Sequence, residues 1–342
     1  MNPQKEFGLG VVIGKFLPPH LGHHFLIDTA LLRCAVVVVI VCEKPSDPVP
    51  GNLRQEWLQE MHPAADIRLI DDRYDENDSR VWAANTIRWL GRAPDVVFTS
   101  EQYGDAYAAH MNCRHVMVDH ARQTVPCSGT MVRNNPLDQW EHLSSPVRGW
   151  YAKRIVVLGA ESTGTTTLAQ ALAEHFKTTW VAEYGREYSF EKQVRGETEW
   201  KTDEFHEIAQ EQTCRENLAA REANRFLFCD TNAFATTLWH RRYMGFHSPL
   251  LEEFARHGRV DLYILTGDEI PFVQDGLRDG EFIRHEMHCW FEDALSRQCA
   301  PFEIVRGSVE ERLRQTIETC RRLFQGEGIV TGVSNAFWGG KG

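Results

Sequence analysis

Nine cysteines are spread through the 342 residues without a single Cys-x-x-Cys pair. That removes the spacing on which zinc ribbons and dithiol redox motifs depend. Cys34, Cys42, Cys113, Cys127, Cys214, Cys229, Cys289, Cys299 and Cys320 fall mostly in apolar or helical contexts, the pattern of reduced thiols in a cytoplasmic protein. A membrane-spanning run is missing too. The longest apolar stretch, Cys34 to Cys42, is about half the length a bilayer requires and suits a strand buried on both faces. The opening residues Met1 to Glu6 have no apolar centre of the kind a signal peptide needs. Positive charge is not in excess: the formal net charge is −11, whereas nucleic-acid proteins usually present a basic face. No repeat links the two halves. These absences predict a cytoplasmic chain with neither nucleic acid nor membrane as partner, long enough for two domains with full cores; self-association stays open.

What is present concentrates first between Gly14 and His23. The apolar run Leu9 to Ile13 ends in Gly14-Lys15-Phe16-Leu17-Pro18-Pro19-His20-Leu21-Gly22-His23, after which Phe25, Leu26, Ala30 and Leu31 take helical spacing. A strand, a Gly/Pro turn and a helix start form the natural seat of a phosphate. Gly22 permits close backbone approach, and His20 and His23 can donate hydrogen bonds to phosphate oxygens. Written as Gly-x-Phe-x-Pro-x-His-x-Gly-His, the segment resembles the signature of the nucleotidyltransferase superfamily. Ser128-Gly129-Thr130-Met131-Val132-Arg133 resembles the second signature of its adenylyltransferases.

Strand and helix patterns alternate along the first half. Strands are predicted at 9–13, 34–42, 67–70, 95–99 and 115–118, with helices at 23–33, 52–61, 80–90 and about 102–111. This is the pattern of a doubly wound parallel sheet whose ligand sits at the strand C-termini. The pattern breaks around Trp140 to Lys153, and α/β logic resumes at Ile155. Strands are expected at 155–158, 179–182, 226–229, 262–266 and 302–305, and Ser308-x-x-Glu311 opens a final amphipathic helix. The predicted organisation is an α/β chain of two doubly wound domains, 7–145 and 150–326, followed by an irregular tail, 327–342.

The second domain opens with Gly159-Ala160-Glu161-Ser162-Thr163-Gly164-Thr165-Thr166-Thr167 and a helix from Leu168. This has the strand, glycine spacing and helix of a P-loop, whose N–H groups cradle phosphate and whose Ser/Thr, here Thr166, reaches Mg²⁺. Thr165 stands where the lysine is expected. Asp230, ending the strand Phe226 to Cys229, suits Mg²⁺ or an acceptor hydroxyl, or else the cap of the following helix. Glu183 in Glu183-Tyr184-Gly185-Arg186 can hold ribose hydroxyls or act as base. Arg278 and Arg284 lie in a charged, lid-like stretch, Pro271 to Arg284, and can replace part of the missing lysine charge.

With both signatures in one chain, the sequence resembles the bifunctional NadR type, a nicotinamide mononucleotide (NMN) adenylyltransferase joined to a ribosylnicotinamide kinase. The resemblance runs from Gly10 to about Phe324. It implies NAD synthesis with ATP as co-substrate and Mg²⁺ as cofactor. Lys15, His20, His23 and Arg133 would act in adenylyl transfer, with Gly14, Phe16, Gly22, Ser128 and Thr130 around the nucleotide. The loop 159–167 would hold the second ATP, Asp230 and Glu183 would serve phosphoryl transfer, and Tyr184, Arg186, Arg278 and Arg284 would contact substrate. Trp82 would stack on the pyridinium ring, or else pair with Trp89 inside the fold. Some NadR proteins begin with a helix-turn-helix region; here the first strand starts almost at Met1, so the resemblance implies no repressor role. Thr165 leaves two readings of the second domain, a working kinase or a degenerate nucleotide sensor behind a monofunctional adenylyltransferase. A nucleotidyltransferase of other specificity and a non-catalytic NAD-responsive binding protein are the further alternatives.

Overall fold

A computed structural model describes residues 5–74 and 78–324; the predicted tail 327–342 lies outside them. The chain divides between Val147 and Arg148 into two compact units, each taken by itself below. Among the described residues no helix is long and apolar enough to cross a membrane.

The first unit is built on β1 (Phe7–Gly14), β2 (Cys34–Glu43), β3 (Asp66–Asp71), β4 (Val96–Thr99) and β5 (Arg114–Met117), in the order β3-β2-β1-β4-β5. All four pairings are parallel. Val- and Ile-rich stretches form these strands because β-branched side chains pack on a pleated surface covered on both faces. Val12, Val39 and Phe98 turn to the face covered by the helix Leu21–Arg33. Val11, Ile40 and Val97 turn to the face covered by helices Ser79–Leu90 and Gly104–Met111. The chain reverses its direction of travel across the sheet between β3 and β4, which opens a crevice beyond the C-terminal ends of β1 and β4.

The second unit carries β6 (Lys153–Leu158), β7 (Trp180–Val181), β8 (Phe226–Asp230), β9 (Leu262–Thr266) and β10 (Phe302–Val305), in the order β10-β9-β6-β8-β7, again all parallel. β6 is central, so the loop that follows it opens between β8 and β9. The helix Thr165–Phe176 buries Leu168, Leu172 and Phe176 against Ile155, Phe226 and Ile264.

Four departures from the sequence expectation bear on function. The first helix begins at Leu21, not His23, because His20 caps it and its Nδ1 accepts the Gly22 N–H at 3.2 Å. The P-loop helix begins at Thr165, not Leu168, which puts all three threonines in its first turn. The break at 140–153 is ordered as a 3-10 turn, Trp140–His142, and a helix, Ser145–Tyr151. The 21-residue helix Thr202–Glu222 had no counterpart in the sequence reading, its buried residues being diluted by Gln212 and Glu216 on the same face.

Gly104 tests the packing of the first unit. A Cβ there would lie 2.2 Å from His115 Nε2 and 2.5 Å from Thr99 Oγ1, two atoms hydrogen-bonded to each other at 2.8 Å. Helix propensity alone favours Ala over Gly by ~1 kcal/mol, yet Gly104→Ala is expected to destabilise the unit by about 1–3 kcal/mol through overpacking, read as a lowered urea midpoint of its unfolding transition.

Candidate active sites

The cleft of the first unit, about 420 Å³, lies at the C-terminal ends of β1 and β4. His20 Nδ1 accepts the Gly22 N–H, so that nitrogen carries no proton and Nε2–H is the free donor. Cys127 Sγ lies 3.2 Å from the same Nδ1. The His23 ring sits 3.7 Å from that of His20, centroid to centroid, and meets the edge of Phe16 at 4.9 Å. Phe16 is buried with a left-handed φ of 47°, and the turn it makes carries the chain from Gly14 toward the cleft.

The second signature arrives at the same place. A Cβ built on Gly129 would lie 3.2 Å from Arg133 Nη1, 3.7 Å from Leu17 O and 3.9 Å from His20 Nε2, so these groups converge on one point. Arg133 donates to Leu17 O at 2.8 Å and to Thr130 Oγ1 at 3.1 Å; the Ser128 hydroxyl caps the short helix that carries them. Lys15 and Trp82 border the cleft. Trp82 meets Tyr74 at 5.6 Å and Trp89 at 6.1 Å, both edge-on, so it takes part in an aromatic cluster and borders the cleft as well.

Two arginines here were not expected from the sequence. Arg54 is fully buried, donating to the carbonyls of Lys15 and Cys42 and pairing with Asp47 at 2.8 Å. It pins the turn on which Lys15 stands. Arg122 borders the cleft from a left-handed turn, which Asp119 fixes by accepting the N–H groups of Gln123, Thr124 and Val125. Those backbone hydrogen bonds hold the Asp119 carboxyl below its ordinary range.

Burial dominates the protonation of the histidines. It pushes His20 down to about 3 and His24 to about 4, and it takes His23 well below its ordinary value, the neighbouring imidazoles adding to the effect. His24 and His62 share a hydrogen bond of 2.8 Å behind the site. His23 alone of the three borders the cleft, with the His20 ring against it, so the imidazole presented there is neutral and donates a hydrogen bond without carrying charge.

In the second unit a cavity of about 180 Å³ is bounded by the loop 159–167. Ser162 and Gly164 take left-handed φ of 58° and 82°, the alternation that turns successive N–H groups inward. Gly159 is forced: a Cβ there would lie 2.3 Å from Thr266 Oγ1. The Thr163 hydroxyl donates to Ala160 O at 2.6 Å and accepts from Thr266 Oγ1 at 2.7 Å, so that side chain braces the loop and leaves only its backbone to a ligand. The Thr166 hydroxyl donates to Asp230 Oδ2. Asn232, not Asp230, caps the helix Ala233–Met244. Asp230 Oδ1 is buried with no hydrogen-bond partner among the described residues. Beside it, Glu183 is pushed up to about 8, first by burial and then by Asp230, and Asp230 is itself raised by burial. An orphaned, buried carboxylate oxygen next to a threonine hydroxyl fits a divalent cation that takes most of its ligands from phosphate and water. Among the described residues no group of three or more His, Cys, Asp or Glu is placed to hold an ion alone.

The arginines divide into two kinds. Arg186 and Arg278 border the cavity; Arg186 pairs with Asp275, and Arg278 reaches Ser162 Oγ at 3.5 Å. Arg284 does not border it, because its guanidinium is committed to the carbonyls of Ile270 and Ser162 at 2.7 and 3.1 Å. Arg312, unforeseen in the sequence, binds the carbonyls of Thr163 and Gly267 from behind. The Glu161 carboxylate is engaged as well, accepting from Arg242 at 2.8 Å and from the Gly280 N–H at 2.7 Å. Tyr184 lies outside the cavity, its ring under the Arg215 guanidinium at 4.4 Å. In its place stand Trp200, Phe205, Trp239 and Tyr243, with Trp200 5.0 Å from Phe205 and 5.3 Å from Tyr243. No motif links these four, which come from a loop and two helices.

Residues 154–312 match the family model of an AAA domain. The chain is 30% identical over 305 residues to the "Trifunctional NAD biosynthesis/regulator protein NadR" of Escherichia coli (strain K12), covering 81% of this chain and 73% of that protein. Among solved structures, a NadR protein in complex with NR superposes with a TM-score of 0.75 at 21% identity, covering 94% of this chain and 97% of that one. A NadR protein in complex with NAD and AMP-PNP gives 0.74 at 20% identity, over 95% and 97% of the two chains.

Depressed histidine values set a pH dependence. The unfolded chain takes up protons below about 6.5, the folded cleft only near 3 to 4, so stability is full above 6.5 and is lost as pH falls through that window. The first unit's melting temperature is expected to drop across it, at up to ~1.4 kcal/mol per pH unit for each histidine. His20→Asn keeps a helix cap and is expected to remove one proton's worth of the slope, read by calorimetry at pH 4 to 7.

Proposed function

The chain belongs to the NadR family, and on that premise we infer that its two units carry out successive steps of NAD synthesis. The second unit transfers the γ-phosphoryl group of ATP to the 5′-hydroxyl of nicotinamide riboside, giving NMN and ADP. The first joins the AMP of another ATP to NMN, giving NAD and pyrophosphate. The observation that carries this reading is that the chain builds two phosphate cradles of different chemistry. One has the imidazole of His23 in its wall with His20 packed against it, both held neutral by burial; the other is a P-loop walled with aromatic rings.

In the first unit the attacking group is the phosphate of NMN, already anionic near neutral pH, so the site needs no general base. Its work is alignment and charge stabilisation at the α-phosphate. His20 and His23 donate from neutral rings to the α-phosphate and bridging oxygens. Arg133, Lys15 and Arg122 supply the cationic field in which pyrophosphate departs. Trp82 gives a π-face to the pyridinium ring.

In the second unit Thr166 and Asp230 would hold Mg²⁺, which when bound neutralises charge between the phosphate groups. The inward N–H groups of the loop take the phosphates. Arg186 and Arg278 supply cationic charge that Thr165 cannot. Glu183, raised first by burial and then by the charge of Asp230, borders the cavity and is the group that accepts the proton of the 5′-hydroxyl. Trp200, Trp239 and Tyr243 provide the apolar, electron-rich wall that a pyridinium riboside requires.

Thr165 favours a second reading, in which this unit binds nucleotide without turnover. Incubating the full chain with nicotinamide riboside, ATP and Mg²⁺, with chromatography over time, is expected to show NMN and then NAD. NAD from added NMN alone would make the second unit a sensor. Thr165→Lys is expected to change the kinase rate less than about tenfold, because the arginines already provide the charge; creation of activity from nothing would favour the sensor. His23→Ala is expected to lower NAD formation from NMN by ~10²–10³-fold while leaving riboside phosphorylation intact.

A further inference from the structure

Asp72 follows β3, its N–H bound to Glu43 O at 2.8 Å. Its side chain is only 2% exposed, yet it borders the same cleft as Trp82. Oδ2 faces Lys44 Nζ at 3.8 Å, long for an ion pair. Oδ1 is buried with no hydrogen-bond partner among the described residues. An orphaned carboxylate oxygen is costly to a folded chain, and one that lines a ligand cleft points to a donor on the ligand.

The topology says which part of the ligand. β3 is the sheet edge two strands from β1, opposite the side of β4 and β5. Arg122, Ser128 and Arg133, which serve the triphosphate, follow β5 in the chain. Asp72 and the helix bearing Trp82 both follow β3, so the pyridine nucleotide takes the β3 end. Its ring carries one strong hydrogen-bond donor, the carboxamide NH₂. We propose that Asp72 Oδ1 accepts a hydrogen bond from this NH₂ and thereby selects the amide nucleotide over its carboxylate analogue, nicotinate mononucleotide. The analogue has no donor at that position and sets a second negative charge against the first.

The proposal rests on the adenylyltransferase reading of this cleft, and the test separates the two. With the full chain, kcat and KM for ATP-dependent dinucleotide formation are measured on NMN and on nicotinate mononucleotide, and calorimetry measures binding of each without ATP. The wild type is expected to prefer NMN by about 100-fold or more. Asp72→Asn should raise KM for NMN about tenfold or more and improve the nicotinate substrate, collapsing the ratio in both assays. The KM for ATP should stay within about twofold. An unchanged ratio, with both substrates weakened together, overturns the proposal and leaves Asp72 as a holder of ribose or a partner of Lys44. So does a Lys44→Met variant that loses the ratio equally. If the wild type forms no dinucleotide, the adenylyltransferase reading fails; the binding ratio and its loss in Asp72→Asn still decide the role of Asp72.

Discussion

Both cradles depend on one repeated interaction, an arginine guanidinium bound to a main-chain carbonyl of the phosphate loop. Arg54 takes Lys15 O and Arg133 takes Leu17 O in the first unit. Arg284 takes Ser162 O and Arg312 takes Thr163 O in the second. In the peptides of Lys15, Ser162 and Thr163 the oxygen tied on one side turns the following N–H to the other, toward the ligand; Leu17 is followed by Pro18, which has no N–H, so there Arg133 contributes only its positive charge. A chain with a net charge of −11 binds polyphosphates by concentrating its cations behind two loops.

The local part of this was legible in the sequence. The strand-turn-helix around His20 and the glycine spacing of 159–164 are contiguous, and their geometry follows from residues a few positions apart. Both parallel sheets followed from apolar runs alternating with helical spacing. What escaped was assembled across the chain. Arg54 reads as an ordinary helix surface residue until the sheet buries it, and Arg312 comes 149 positions after the carbonyl it binds. Arg284 reads as a free lid cation until its partners are seen to be carbonyls. The aromatic wall of Trp200, Phe205, Trp239 and Tyr243 has no local signature, because its rings come from separate elements. Tyr184, which does have one, lies under Arg215 instead.

The two sites handle charge in opposite ways. The first keeps its histidines neutral by burial and leaves the field to cations at the rim. The second holds two buried carboxyls, Glu183 and Asp230, each raised by burial and Glu183 raised further by the charge of Asp230. That is unfavourable for the empty protein and is relieved by a cation or a shared proton. Thr165, in the first turn of the same helix as Thr166, brings a neutral hydroxyl to this site and no further positive charge.

Glu161 belongs to the phosphate loop, yet one of its oxygens holds Arg242, on the helix that carries Trp239 and Tyr243, and the other holds Gly280 in the segment that reaches over Ser162. A single carboxylate thus joins the donor's cradle, the acceptor's wall and the covering segment. Any ligand that shifts one shifts the positions available to the others. Nucleotide and riboside affinities are therefore linked quantities, each altered by the other's presence by the same factor, and the site is best described by a coupling free energy, not by two independent dissociation constants.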